Sequence, residues 1–400
     1  MVLAGLFVAL VVIVFARLAY GMLLPAMRAD LGMSYQQAGL LGTITALGYL
    51  ALVLAGGVAA ARWGAKQAVV LGLFVVAVGF TGLALATNYL VIMALMALLG
   101  FGTAFSFAPM ISLLATWYPE KRGQVIGYMS AGIGLGLLIT GALVPWLLDA
   151  FGAIGWRLAW GVFAASAVAT GLLVTIVVRN PPAEQVGPNI RPPTADKWLI
   201  YTNPRVLVVA SIYGIIGLCY IVQAVFMVSY VVESGFSETV AGWLLAMSGL
   251  LSVASAPIWG TLSDRLGRPN ALTAAMGLVT LSMAIVLFSQ SLLAFFLHFL
   301  LIGSSLNGTF TTVQAASTDQ VPPRYIPIAF SFATLLFAGG QLVGPAVAGW
   351  LIETTGDFRA AIAFTCVGLT AGIYLTQRMR RFPAEPAAIG ESAALRDKQY

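Results

Sequence analysis

The sequence predicts an all-α membrane protein whose twelve transmembrane helices form two pseudo-symmetric six-helix bundles. Three observations carry that expectation. Sixty per cent of the 400 residues are hydrophobic and 8% are charged, whereas a soluble domain needs about a quarter charged residues to solvate its surface. The apolar residues fall into twelve stretches, each long enough to cross a hydrocarbon core of about 30 Å, which takes roughly 20 residues. The second six stretches repeat the first six at an offset near 203 residues.

The stretches lie near 3–28, 35–61, 67–87, 89–116, 122–148 and 156–179, and again near 205–232, 238–262, 271–289, 291–318, 325–352 and 358–380. The first exceeds a signal-peptide core and lacks a basic flank and small-residue cleavage site, so it reads as a retained helix. The segment Asn180 to Asn203 holds Pro181, Pro182, Pro188, Pro192 and Pro193. Such a stretch cannot continue an apolar helix and reads as a cytoplasmic linker. The expected organisation is a bundle over 1–179, a linker over 180–204, a bundle over 205–381 and a cytoplasmic tail over 382–400.

Charge sets the orientation. Sixteen of the 20 Lys and Arg residues lie in alternate loops, in the linker and at the C-terminal end, and only Arg28, Arg157 and Arg359 lie in the opposite loops. By the positive-inside bias this places the basic loops and both termini in the cytoplasm, as expected of an inner-membrane chain. The net charge of +6 therefore concerns topology, and no nucleic-acid partner is expected. Cys219 and Cys366 both sit in apolar helices, so they read as small buried side chains, neither disulfide nor metal site. No cofactor and no metal are expected.

The repeat is detailed. Leu31-Gly32-Met33-Ser34 and Ala38-Gly39-Leu40-Leu41 recur as Ser234-Gly235-Phe236-Ser237 and Ala241-Gly242-Trp243-Leu244. Gly57 to Gly64 recurs as Gly260 to Gly267, and Trp156-Arg157 as Phe358-Arg359. Parallel repeats of this kind place a substrate site between the halves near the midplane.

The segment Gly260-Thr261-Leu262-Ser263-Asp264-Arg265-Leu266-Gly267-Arg268 resembles the G-x-L-x-D-R-x-G-R signature of the major facilitator superfamily. The resemblance covers nearly the whole chain and implies a secondary transporter working by alternating access. It also implies a gating role for Gly260, Asp264, Arg265, Gly267 and Arg268. Asp264 should dock on the start of the fifth helix, around Arg122 to Gln124, where free N–H groups favour an anion. The first-half copy keeps Gly57, Arg62 and Gly64 but has Ala61 at the Asp position. The Gly340, Gly344-Pro345 and Gly349 series is similar to a glycine pattern of drug antiporters, but that pattern belongs in the fifth helix. Close helix packing is the simpler reading. The first helix, through Pro25 to Gly32, resembles that of a poorly characterised bacterial branch of the superfamily, which brings no substrate with it.

Charged residues at membrane depth are costly and mark functional sites. Sorting the charged residues by position leaves one near the bilayer centre, Arg17, about 13 Å from the outer boundary at 1.5 Å per residue. No Asp or Glu shares that depth. Its two readings are an anchor for a substrate carboxylate, and a structural cation held by backbone carbonyls. Tyr20 lies one turn on. Tyr220 is the mate of Arg17, and Tyr213, Ile216, Tyr220, Gln223 and Met227 share one stripe of the seventh helix. Gly303, Asn307, Thr311 and Gln314 share a stripe of the tenth, and Phe330, Thr334, Phe337, Gln341 and Gly344 one of the eleventh. The substrate-binding set is therefore Arg17, Tyr20, Tyr220, Gln223, Asn307 and Gln341. His298, the only histidine, faces away from the Asn307 stripe and reads as structural.

The expected function is secondary transport of a small organic anion of the monocarboxylate type, as a monomer, with any coupled proton travelling on the substrate. The rival within the superfamily is efflux of drugs or amphiphiles, although export of a cation calls for a buried carboxylate. An embedded enzyme or receptor is the reading from another class. An enzyme would need clustered His, Asp, Glu, Ser or Cys at membrane depth, which one off-stripe histidine does not supply.

Overall fold

A computed structural model describes residues 1–118, 122–180, 200–321 and 326–381. Regular structure among them is helical throughout. In the first half α1 is Val2–Leu31, α2 Tyr35–Trp63, α3 Ala65–Leu85, α4 Tyr89–Trp117, α5 Arg122–Phe151 and α6 Gly155–Val177. In the second, α7 is Pro204–Glu233, α8 Glu238–Leu266, α9 Arg268–Phe288, α10 Leu292–Thr318, α11 Ile326–Thr355 and α12 Phe358–Met379. Val125–Val177 is one continuous apolar stretch of 53 residues, about 80 Å if straight. It doubles back at the short turn Gly152–Ile154 and so supplies α5 and α6. Most of the expected linker 180–204 and the whole tail 382–400 lie outside the described residues.

The ends of the helices are written locally. Ser34, Asn88, Ser237 and Ser291 each accept a hydrogen bond from a backbone N–H in the first turn that follows. This satisfies donors that a helix start leaves unpaired. Ser34 and Ser237 are mates at an offset of 203, and so are Asn88 and Ser291. Every residue of positive φ among the described ones is a glycine: Gly32, Gly64, Gly152, Gly235, Gly267 and Gly356. They pair across the halves as 32 with 235, 64 with 267, and 152 with 356. The backbone thus repeats as well as the sequence.

Packing repeats too. α4 lies against α2 and α3, and α3 against α6; α10 lies against α8 and α9, and α9 against α12. Across the halves α2 meets α11, α5 meets α8, and α1 meets α7. Lipid offers no hydrophobic drive between helices, so close approach of backbones supplies the attraction. A Cβ on Gly39 would collide with the Pro345 carbonyl, and one on Gly141 with the Gly242 carbonyl. Gly340 and Gly344 lie likewise against α7, and Gly349 against Gly39. Their role here is close packing.

The inter-half contacts gather at the end opposite the basic loops. Arg28 Nη2 pairs with Glu233 at 2.7 Å. The Tyr35 hydroxyl donates to Glu233 at 2.7 Å, and the Tyr35 backbone N–H to Glu353 at 2.9 Å. Thr239 donates to Asp149 at 2.9 Å, and Thr43 to the Leu342 carbonyl at 3.0 Å. Toward the basic end, a Cβ added to Gly57, Gly127 or Gly260 meets no atom of the other half within 4 Å. Among the described residues the far end is the joined one.

Candidate functional site

The midplane of α1 departs from an ordinary helix. Leu10–Leu18 winds as a π-helix, a wider turn that is rare and gathers at functional sites. Arg17 sits near its end, half-buried. The guanidinium Nη2 donates to Gln341 Oε1 of α11 at 2.5 Å, and the group lies over the Tyr49 ring of α2, 5.1 Å from its centre. The ion pairs among the described residues belong to Arg28, Arg157 and Arg268, and Arg17 has a neutral amide and aromatic faces instead.

An aromatic belt surrounds that point. Tyr213 stacks on Phe337 at 4.4 Å and accepts a hydrogen bond from Gln314 Nε2 at 3.0 Å. Tyr220 meets the Phe310 ring edge-on at 5.1 Å and stacks more loosely on Phe337. Ring faces carry negative charge density that favours a nearby cation. Tyr220 also lines a cavity of about 120 Å³, together with Ile13, Leu18 and Met22 of α1, Gln223 of α7 and Asn307 of α10.

The structure therefore arranges the sequence candidates in two groups. Tyr220, Gln223 and Asn307 line the cavity. Arg17 and Gln341 form the seam between halves beside it. Tyr20 joins neither group: it is buried, and its hydroxyl donates to the Ala38 carbonyl of α2 at 3.0 Å. Tyr49 escaped the sequence reading. Its signal was faint, the one aromatic residue inside α2 between Tyr35 and Trp63.

The motif loops are turns of matching shape. Gly64 has φ 101° and ψ 145°, and Gly267 φ 80° and ψ 149°, a region essentially reserved for glycine. Asp264 is paired with Arg268 at 2.6 Å, and Arg268 reaches on to Asp319 at 3.0 Å and the Ser263 hydroxyl at 2.8 Å. The carboxylate thus stays within its own half. The side chains of Arg122 to Gln124, the expected dock, and of Ala61 lie outside the described residues. Arg62 and Arg265 are exposed. His298 is fully buried, its Nδ1 3.0 Å from the Ser282 carbonyl and its ring edge-on to Phe299, which is a packing role.

Comparison with known proteins identifies the frame. Among solved structures, a bacterial homologue of the human lysosomal transporter Spinster, inward-facing and occupied, superposes with a TM-score of 0.78 at 16% identity, covering 95% of this chain and 96% of that one. The nucleoside transporter NupG gives 0.76 at 12% identity, covering 95% and 98%. Among curated relatives, the hexuronate transporter of Bacillus subtilis (strain 168) is 25% identical over 385 residues, 89% of this chain and 88% of its own length. Monocarboxylate transporter 12-B of Danio rerio is 22% identical over 328 residues, 74% and 69% of the two chains. The putative tartrate transporter of Agrobacterium vitis is 24% identical, covering 73% and 72%. The family model described as "Uncharacterised MFS-type transporter YbfB" matches residues 9–377, and so the chain belongs to that family: it is a multi-pass membrane transporter of a small molecule within the major facilitator superfamily, and not an enzyme.

Proposed function

We propose that this transporter carries a small organic anion of the monocarboxylate type by alternating access, with Arg17 as its charge anchor. The observation that carries the reading is the Arg17 guanidinium at the seam between the halves, bonded to the neutral Gln341. A cation at that depth is costly unless an anion meets it. A carboxylate arriving beside Tyr220 would take two guanidinium N–H groups at once, replacing the bond to Gln341. Relatives whose names specify monocarboxylate, hexuronate or tartrate transport support an anionic cargo.

In this reading Tyr220, Gln223 and Asn307 contact the body of the substrate, and Gln341 holds Arg17 while the site is empty. The protein works as a monomer in this reading. Its membrane is the bacterial inner membrane, with the basic loops and both termini cytoplasmic. The bundles are 1–179 and 205–381, joined by 180–204. The turns at Gly57 to Gly64 and Gly260 to Arg268 gate the cytoplasmic face, with Asp264 leaving Arg268 for the start of α5 when that face closes. The test is uptake of labelled carboxylates by proteoliposomes. Arg17→Gln should abolish uptake while the purified protein keeps its melting temperature in detergent. Normal uptake by a folded Arg17→Gln protein refutes the anchor.

A further inference from the structure

The cavity beside Arg17 has a chemistry that narrows the cargo. Leu18, Met22, Leu137, Leu245, Phe299 and Ile302 wall it, and none of these side chains offers a hydrogen bond. Where polar groups reach it, some are already committed. Asn307 Nδ2 donates to the Ser252 carbonyl at 3.1 Å, and the Ser252 hydroxyl to the Gly249 carbonyl at 2.8 Å. Gln223 and Ser248, 8% and 6% exposed, line the cavity with no side-chain hydrogen-bond partner among the described residues. Tyr220 forms the boundary: it lines the cavity, and its ring stacks on Phe337, one helical turn from the Gln341 that holds Arg17.

Size and polarity can be read together. An engineered apolar cavity of about 150 Å³ holds a benzene ring, so the 120 Å³ here suits a somewhat smaller body. A sugar acid placed there would press several hydroxyls against a mostly apolar wall, with Gln223, Ser248, the Tyr220 hydroxyl and the Asn307 Oδ1 as the few groups left to meet them. Each buried hydroxyl left unpaired lowers affinity about tenfold or more.

We infer that the cargo is an amphipathic monocarboxylate, its carboxylate at Arg17 and a branched hydrocarbon body of roughly four to five carbons in this cavity, and that polyhydroxylated acids are poor ligands. One polar substituent is accommodated, at Gln223 and Ser248. The inference rests on the reading of Arg17 as the carboxylate anchor, and its test separates the two.

The full-length protein in detergent is titrated with 3-methylbutanoate, acetate, glucuronate, tartrate and the neutral 3-methylbutanol, following the rise in melting temperature that a bound ligand produces. The expected result is half-saturation by 3-methylbutanoate at a concentration at least tenfold below those for glucuronate and tartrate. Arg17→Gln should remove the response, and Ile302→Phe, which fills the cavity, should weaken 3-methylbutanoate at least tenfold and more than acetate. Glucuronate or tartrate binding as tightly as 3-methylbutanoate, in a way that Arg17→Gln abolishes, overturns the inference and leaves the anchor standing. A stably folded Ile302→Phe protein that binds 3-methylbutanoate unchanged overturns it as well. If 3-methylbutanol binds as well as the acid and Arg17→Gln alters neither, or if no carboxylate binds, the anchor falls and the inference with it.

Discussion

At the scale of single residues, the guanidinium of Arg17 matters for its shape as much as for its charge. Lysine would keep the charge but lose the planar fork that meets both carboxylate oxygens. Arg17→Lys should therefore cost about 2–5 kcal/mol of substrate binding, thirtyfold or more, nearly as much as Arg17→Gln in the same uptake assay. Tyr20 makes the contrast. Its hydroxyl serves the Ala38 carbonyl, so Tyr20→Phe should lower stability by about 1 kcal/mol, seen as a lower melting temperature, and leave uptake intact. Loss of uptake with unchanged stability would return Tyr20 to the site. Helical periodicity alone put Tyr220 and Gln223 on one face of α7, the face that lines the cavity, because α7 winds regularly there. It gave no warning about α1, where nothing in Leu10 to Leu18, a run almost wholly apolar, announces a change of winding. Tyr49 was illegible for a different reason, since an aromatic residue in an apolar helix is ordinary until a cation is found over its face.

At the scale of helices, the far end is held by many modest contacts. The Arg28–Glu233 pair is 32% and 48% exposed, so its removal is worth only about 0–1 kcal/mol. Arg28→Gln should raise the population open at the far end by at most about fivefold. Tyr35→Phe, losing its bond to the same Glu233, should add little when combined with Arg28→Gln because the two share a partner. Spin labels on the far ends of α1 and α7 read the population directly. A complete switch to the open form in Arg28→Gln would mean that the close backbone contacts around Gly39 and Gly141 hold nothing. Those contacts were only half legible. Glycines spaced for packing are visible in a sequence, but which helix each one meets depends on how the bundles sit together.

At the scale of the whole chain, topology follows from the count of crossings. With twelve passes, the turns at Gly64 and Gly267 share a face with both ends of the described chain, and those at Gly32 and Gly235 lie opposite. Single cysteines at Lys66 and Asn270 in a protein lacking Cys219 and Cys366 should react alike with a membrane-impermeant reagent in inverted vesicles, and cysteines at Gly32 and Gly235 should not. Reaction of Lys66→Cys from the opposite side to Asn270→Cys would break the two-fold arrangement. This level was the most legible, because an offset near 203 held from the first helix pair to the last. What remained hidden was the relative tilt of the bundles, a property of neither half alone.

The paired glycines at the turns have a practical consequence: the molecule contains its own control experiment. Gly64 and Gly267 hold nearly the same backbone shape, so alanine at either imposes a similar local strain, about 1–3 kcal/mol. Their surroundings differ. Gly64 lies against the side chains of Asn180 and Gln67, which are hydrogen-bonded to each other at 2.6 Å, whereas Gly267 has open space around it and lies beside the ion pairs of Asp264, Arg268 and Asp319. Both variants should lose melting temperature, and Gly64→Ala the more, because the strain is common to both while only Gly64 has a hydrogen-bonded pair of neighbours to displace. Transport rates of Gly64→Ala and Gly267→Ala, compared at a temperature where both stay folded, then measure what differs between the two turns.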